Sequence, residues 1–144
     1  MIVVDTNILV YAYRSESPFH RAASNVVRDL AEGPNIWGIA WPSAHEFISV
    51  VTNPKIFKTD TELELAFAQL LAWHSSGRHE FLAETGTHLD VIQTLAIAGS
   101  IKGAKIHDAR IAAICLQHGV TELWTADRDF SRFPKLKTRN PLVR

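Results

Sequence analysis

The sequence of 144 residues lacks several features that mark specialised classes of protein. Its single cysteine, Cys115, cannot form an internal disulfide, which favours a reducing compartment. Seven glycines and six prolines are too few for a collagen-like or low-complexity chain. No apolar run approaches the roughly 18–20 residues of a membrane span, and no basic residue precedes Asp5 as in a signal peptide. We therefore expect a cytoplasmic protein that does not associate with a membrane.

The chain also lacks net charge, because 15 Lys and Arg residues balance 15 Asp and Glu residues. Basic side chains are nevertheless concentrated near the end, where nine of the 15 lie from Lys102 onward against four acidic residues. Such a segment can bind the phosphates of a nucleic acid, or it can be an ordinary solvated surface. The length and the 47% of apolar residues predict a single domain, residues 1–144, with a substantial core.

Apolar runs and capping signals predict strands that alternate with helices. The predicted strands are 2–4, 36–40, 81–83, 122–125 and an edge strand at 137–139. The predicted helices are 8–13, 15–31, 42–52, 61–75, 87–98 and 107–118. This order indicates an α/β fold, a three-layer α/β/α sandwich around a short and mainly parallel sheet. Ligands of such sheets bind beyond the carboxyl ends of the strands.

Three acidic residues lie where this fold would place a ligand. Asp5 directly follows the first strand, Asp127 lies two residues beyond the last strand of the parallel core, and Asp108 begins the helix 107–118. Each also has an ordinary structural explanation. Asp5 and Asp108 can cap a helix, and Asp127 can form an Asx-turn.

Glu46 is the least ordinary acidic residue. On the helix 42–52 it projects from a face of small residues, and no basic residue lies within one turn of it. An exposed surface glutamate is the alternative. Crowded carboxylates repel one another unless a cation compensates them. Hard oxygen ligands with open positions suit Mg²⁺ or Mn²⁺, and such sites hydrolyse phosphate esters.

Two other hydrolase classes fit the sequence poorly. An aspartyl phosphatase needs a second aspartate two residues after the first, where this chain has Asn7. A zinc protease of the His-Glu-x-x-His type needs a histidine where this chain has Ser49. The seven histidines show no ligand spacing, and we interpret them as surface or hydrogen-bonded residues.

The residues together resemble the PIN-domain ribonucleases, and in particular the VapC-type toxins of bacterial toxin–antitoxin pairs. The resemblance rests on Val-Val-Asp-Thr-Asn at residues 3–7, the helical Glu46, Asp108 at a helix start, and Thr-Ala-Asp-Arg-Asp-Phe at residues 125–130. It covers nearly the whole chain. Asp127 matches the fourth acidic position best, and Asp129 is the second choice.

The resemblance implies a Mg²⁺-dependent endoribonuclease, with Mn²⁺ as a possible substitute, that a VapB-type antitoxin neutralises. The implied catalytic and metal-binding residues are Asp5, Glu46, Asp108 and Asp127. The residues implied to orient them are Thr6, Asn7, Thr125 and Asp129. The family also implies a homodimer, for which the apolar helices within 61–98 offer a surface. The alternative is a non-catalytic module that keeps the fold to bind RNA or protein.

Five basic residues are candidate contacts to RNA phosphates because they flank the acidic residues in sequence. Lys102, Lys105 and Arg110 bracket Asp108, and Arg128 and Arg132 bracket the segment that begins at Asp127.

Overall fold

The computed structural model describes residues 1–143 and shows five strands and six α-helices in an α/β arrangement. The strands are β1 (Ile2–Val4), β2 (Ile36–Ala40), β3 (Arg78–Leu82), β4 (Glu122–Trp124) and β5 (Thr138–Arg139). The α-helices are α1 (Thr6–Tyr13), α2 (His20–Glu32), α3 (Trp41–Val51), α4 (Leu63–His74), α5 (His88–Ala98) and α6 (Ile106–Gln117). Within residues 1–143, no helix has the length and apolar character needed to cross a membrane.

The sheet has the strand order β3-β2-β1-β4-β5, and every neighbouring pair is parallel. In the central strand β1, Ile2 pairs with Trp37 of β2 on one side and with Glu122 of β4 on the other. The chain leaves β1 toward β2 and β3 and later returns to the opposite side of β1. The strand order therefore reverses between β1 and β4, and a crevice opens there at the carboxyl edge.

Two separate cores cover the two faces of the sheet, as a three-layer sandwich requires. Trp37 and Ile39 of β2 pack into the core shared with α1 to α4. Val3 and Leu123 point the other way, into a core that includes Ile114 of α6 and is flanked by α5. This alternation follows from the pleat of each strand, which sends successive side chains to opposite faces. The predicted fold class is confirmed.

The predicted start of the second helix, Ser15, is wrong, because α2 begins at His20. The residue before a proline is disfavoured in a helix, and Ser17 precedes Pro18. Residues 14–20 instead form turns in which the backbone N–H groups of Ser17 and His20 bond to the carbonyls of Arg14 and Ser17.

Two further differences concern the later part of the chain. Strand β3 begins at Arg78, three residues earlier than predicted. The prediction missed these residues because their side chains are polar and form no apolar run. The connection between β4 and β5, for which no helix was predicted, contains a 3₁₀ helix at Arg128–Arg132. Phe130 and Phe133 are buried beneath this segment and hold it against the α6 side of the sheet.

Candidate active site

Four acidic side chains line one pocket at the carboxyl edge of the sheet. Asp5 follows β1, Glu46 lies in the middle of α3, Asp108 lies in the first turn of α6, and Asp127 follows β4. The pocket has a volume of about 380 Å³. Segments more than 100 residues apart in sequence thus place their carboxylates around one cavity.

Asp5 is the innermost of these acids, with only 8% of its surface exposed. One carboxylate oxygen accepts a hydrogen bond from the backbone N–H of Thr6 at 2.8 Å, as the N-cap of α1. The other accepts a hydrogen bond from the Thr125 hydroxyl at 2.8 Å. Asp5 therefore caps a helix and also presents a carboxylate to the pocket.

Thr125 links the two loops that carry Asp5 and Asp127. Its hydroxyl oxygen accepts hydrogen bonds from the Asn7 side-chain amide at 3.3 Å and from the Asp127 backbone N–H at 3.0 Å. The side-chain carbonyl oxygen of Asn7 accepts a further hydrogen bond from the Ala126 backbone N–H at 3.2 Å. Asn7 thus reaches Asp5 only through Thr125, and the two loops are held in a fixed relation.

Burial, together with neighbouring negative charge, raises the pKa values of three of these acidic side chains. Burial raises the pKa of Asp5 to about 6, and the charges of Glu46 and Asp127 add to it, although hydrogen bonds from Thr125 and Thr6 oppose the rise. Burial and the Asp108 charge raise the pKa of Glu46. Burial and the Asp127 charge raise the pKa of Asp108. Such uncompensated carboxylates fit a site that holds a cation.

Asp129 lies at the edge of this arrangement. Asp108, Asp127 and Asp129 each offer a carboxylate oxygen within 4.8 Å of the others. Asp129 does not line the pocket, and its carboxylate pairs with the Lys105 ammonium. Its backbone N–H donates to Asp127 at 2.8 Å, so the turn itself sets the position of Asp127. The pocket therefore contains Asp127, the better of the two matches in the sequence.

The candidate RNA-binding residues occupy different positions around the site. Arg110 lines the pocket and forms an ion pair with Glu84, which lies two residues beyond β3. Lys102, Arg128 and Arg132 are exposed, and within residues 1–143 they form no ion pair. Only Arg110 and Lys105 are thus fixed next to the acids by a partner.

Three further side chains of the pocket, those of Tyr11, His45 and His107, were not among the predicted site residues. His45 and His107 each precede an acidic residue of the site, and Tyr11 lies one helical turn after Asn7 on α1. Adjacency to an acidic residue was therefore an available signal for the two histidines, and helical spacing from Asn7 was the signal for Tyr11.

Comparison with known proteins identifies the family. Residues 2–136 match the PIN domain. Ribonuclease VapC43 of Mycobacterium tuberculosis is 32% identical over 142 residues, covering 99% of this chain and 96% of the relative. Ribonuclease VapC48 of the same species is 28% identical over 137 residues, covering 95% of this chain and 94% of the relative.

Solved structures show the same fold at lower identity. VapBC2 of Rickettsia felis, bound to a promoter DNA fragment, superposes with a TM-score of 0.70 at 23% identity, covering 96% of this chain and 98% of the other. The Mycobacterium tuberculosis toxin VapC20, described as cleaving the sarcin-ricin loop, gives a TM-score of 0.66 at 18% identity, covering 91% and 93%. The chain therefore belongs to the PIN-domain family, within which its curated relatives are VapC ribonucleases.

Proposed function

We propose that this chain, as one domain over residues 1–144, is a metal-dependent endoribonuclease and the toxin of a type II toxin–antitoxin pair. It would hydrolyse RNA phosphodiester bonds in the cytoplasm and so inhibit translation and growth. The observation that carries the proposal is the meeting of four acidic side chains in one pocket at the reversal of strand order. The curated relatives, which are ribonucleases over almost the same length, support it.

The donor set of the pocket fits Mg²⁺, with Mn²⁺ as a substitute. Carboxylate oxygens are the ligands that these hard cations prefer, and the raised pKa values of Asp5, Glu46 and Asp108 indicate negative charge without sufficient compensation. We assign metal binding to these three residues and Asp127. A divalent ion in such a site activates water and neutralises charge that develops on the phosphate.

The neighbouring residues would hold the acids in position. Thr125 and the Thr6 N–H fix both oxygens of Asp5, and Asn7 fixes Thr125. Partners of this kind orient ligands and are needed for tight metal binding. Asp129 supports the site from the turn that shapes Asp127.

Basic side chains around the pocket would position the RNA strand. Arg110 lines the pocket, and Lys105 contacts its edge, so both lie where a scissile phosphate would approach. Lys102, Arg128 and Arg132 would contact phosphates farther along the strand. Contacts to phosphates fix the register of a nucleic acid without selecting its sequence.

A groove beside the active site would receive a VapB-type antitoxin. The apolar side chains of Trp41, Ile48, Phe67, Leu71 and Phe81 line a cavity of about 390 Å³ between α3 and α4. His45 borders both this groove and the acidic pocket, so the two lie next to each other. A peptide in the groove could extend an arginine to the carboxylates, which bind guanidinium groups well. Co-purification with the product of the neighbouring open reading frame tests this partner.

Amide variants test the nuclease itself. Asp5→Asn and Asp108→Asn keep the shape of the side chain but remove its charge, so folding should persist while Mg²⁺- or Mn²⁺-dependent RNA cleavage falls at least about 100-fold, the scale of lost metal-assisted stabilisation. Asp60→Asn, at an exposed position between α3 and α4, is the matched control and should cleave normally. A folded Asp108→Asn protein that cuts RNA at the parent's rate would end the proposal. A non-catalytic module would also show no thermal shift on addition of either metal.

A further inference from the structure

Lys105 occupies an unusual position relative to the acidic residues. Asp108, Asp127 and Asp129, here called the rim carboxylates, present oxygens that all lie within 4.8 Å of one another. The Lys105 ammonium contacts Asp129 and lies 3.9 Å from the nearer oxygen of Asp108. Two of the three rim carboxylates thus face one internal cation.

This contact competes with the binding of a metal ion. A carboxylate oxygen that faces an ammonium at short range cannot also bind a divalent cation without strong repulsion between the two positive charges. Asp108 is shared between the rim carboxylates and the acidic pocket. A divalent ion in the pocket therefore acts directly on Asp108, one of the two carboxylates that face Lys105.

Lys105 is also free to leave. Its side chain is 48% exposed, and it ends the short 3₁₀ turn Gly103–Lys105 that precedes α6. The turn begins at a glycine with a φ of 59°, and all three of its residues are exposed. The ammonium can therefore move into solvent or onto an approaching phosphate by rotation about its own side-chain bonds.

We infer that Lys105 is a displaceable internal counter-ion: it partly offsets the charge of Asp108 and Asp129 in the metal-free protein, leaves them when a divalent ion binds, and then contacts the RNA. This inference rests on the proposed metal-dependent function. It makes metal loading release a side chain that binds substrate, so each ligand should favour the other.

The test measures Mn²⁺ affinity, by calorimetry or by the spectroscopic signal of free Mn²⁺, in the parent and in Lys105→Met. Loss of the competing ammonium should raise the affinity about fivefold, the scale of a partly exposed ion pair. The thermal midpoint of the metal-free variant should fall slightly, because the rim carboxylates lose their counter-ion. Lys102→Met removes the same charge from the same loop without any contact to the rim, and it should leave both quantities nearly unchanged.

The outcomes separate this inference from the proposed function. Equal affinities in Lys105→Met and Lys102→Met would show only a long-range charge effect and would overturn the role of Lys105. Weaker or unchanged binding in Lys105→Met would overturn it as well. If the parent binds no Mn²⁺ and matches Asp108→Asn, the proposed metal site is wrong, and the role of Lys105 is wrong with it.

Discussion

At the scale of single residues, the carboxylates of the acidic pocket repel one another in the metal-free protein. Asp108 is affected by burial first and then by the charge of Asp127, and only Lys105 and His107 oppose these effects. Glu46 feels burial and then Asp108. Ionised side chains whose pKa values are raised by folding lower the stability of the folded state at neutral pH. The arrangement of carboxylates that suits a cation therefore lowers the stability of the metal-free protein at neutral pH.

Asp108→Asn should therefore stabilise the metal-free protein while it removes activity. The amide keeps the shape of the side chain and loses the repulsion with Asp127. Its loss of the favourable interaction with the α6 dipole is worth less than about 1 kcal/mol. We expect a higher thermal midpoint than the parent in excess chelator at neutral pH. Added Mg²⁺ should reverse the order, since only the parent gains stability from the ion.

His79 provides a separate pH dependence away from the metal site. It is 7% exposed and packs against Trp37 with ring centroids 4.4 Å apart. Its Nδ1 lies 3.1 Å from Nδ1 of His74 on α4. Burial, with a smaller contribution from the charge of His74, lowers the pKa of His79 to about 4.

The lowered pKa predicts loss of stability in mild acid. The folded state binds the proton less tightly than the unfolded chain, so the contribution of His79 is complete above pH 6.5 and is lost as the pH falls toward 4. The free energy of unfolding, measured in denaturant at several pH values across this range, should depend less steeply on pH in His79→Gln than in the parent. His74→Gln should retain most of the slope, because burial is the larger cause. A parent-like slope in His79→Gln would contradict the assignment.

The sequence indicated site residues where local position determined their role. Asp5, Asp108 and Asp127 adjoin the ends of elements, and these ends meet at one edge of any parallel sheet. The pairing of Arg110 with Glu84 and of Lys105 with Asp129 was not predictable, because each joins segments more than 20 residues apart. Such pairs depend on how helices pack, which periodicity does not determine.

At the scale of elements, the limits of buried apolar strands were the most predictable, and the limits of a strand that begins with polar residues were the least predictable. Strands β1 and β2 have their predicted limits, because continuous β-branched or apolar runs occur at both. Strand β3 begins with Arg78 and Glu80, exposed residues on either side of the buried His79, so its first half carries no apolar signal. The predicted helix 107–118 ends close to its predicted limit, where Gly119 has a φ of 64° that glycine accommodates at a helix end.

The connection between α3 and α4 is held by one buried cation. Arg14, at the end of α1, is 8% exposed and donates to the Thr61 hydroxyl at 2.9 Å and to the Thr59 carbonyl at 2.5 Å. Its guanidinium also forms an ion pair with Glu16 and stacks 4.1 Å from the centroid of the Phe57 ring. The segment 52–62 has no regular helix or strand, and these contacts add to its few backbone hydrogen bonds, such as that from the Thr61 N–H to the Val51 carbonyl at 2.8 Å.

Arg14→Met should destabilise the protein by about 2 kcal/mol, the typical cost of losing hydrogen bonds to a charged group. For a domain of this size the thermal midpoint should fall by about 4–8 °C. Glu16→Gln leaves the bonds to the connection intact and changes only an exposed partner, so its effect on stability should be much smaller. Proteolysis should cut the connection 52–62 faster in Arg14→Met only. Equal effects of the two variants would show that Arg14 stabilises the protein through its ion pair with Glu16 and not through its hydrogen bonds to the connection.

At the scale of the whole molecule, the two faces of the sandwich differ in what they expose. On the face of α1 to α4, the exposed apolar residues Phe67 and Leu71 line the groove next to the acidic pocket. On the other face, no residue of α5 is fully buried, and its Leu89 and Ile97 are 75% and 71% exposed. The sandwich was predictable from the order of elements, but the separation of these surfaces was not, since it depends on which face each helix covers.

We propose different partners for the two surfaces. The groove adjoins the acids and suits the antitoxin, and α5 is the surface that we propose for the homodimer implied by the family resemblance. Leu89 and Ile97 lie eight positions apart and thus on one side of the helix. Replacing both with glutamate would bury unpaired charge in the dimer and cost several kcal/mol. The double variant should show a monomer mass by light scattering and still co-purify with the antitoxin.

Leu71→Glu is the matched change on the other surface, since it introduces one charge into the groove and leaves α5 intact. It should retain the dimer mass and lose the antitoxin. If the Leu89→Glu and Ile97→Glu double variant remains dimeric while Leu71→Glu becomes monomeric, the dimer uses the groove side of the sandwich, and the antitoxin must reach the acids by another route. A parent protein with a monomer mass across micromolar concentrations would contradict the dimer itself, because exposed apolar faces of this kind associate when they are complementary.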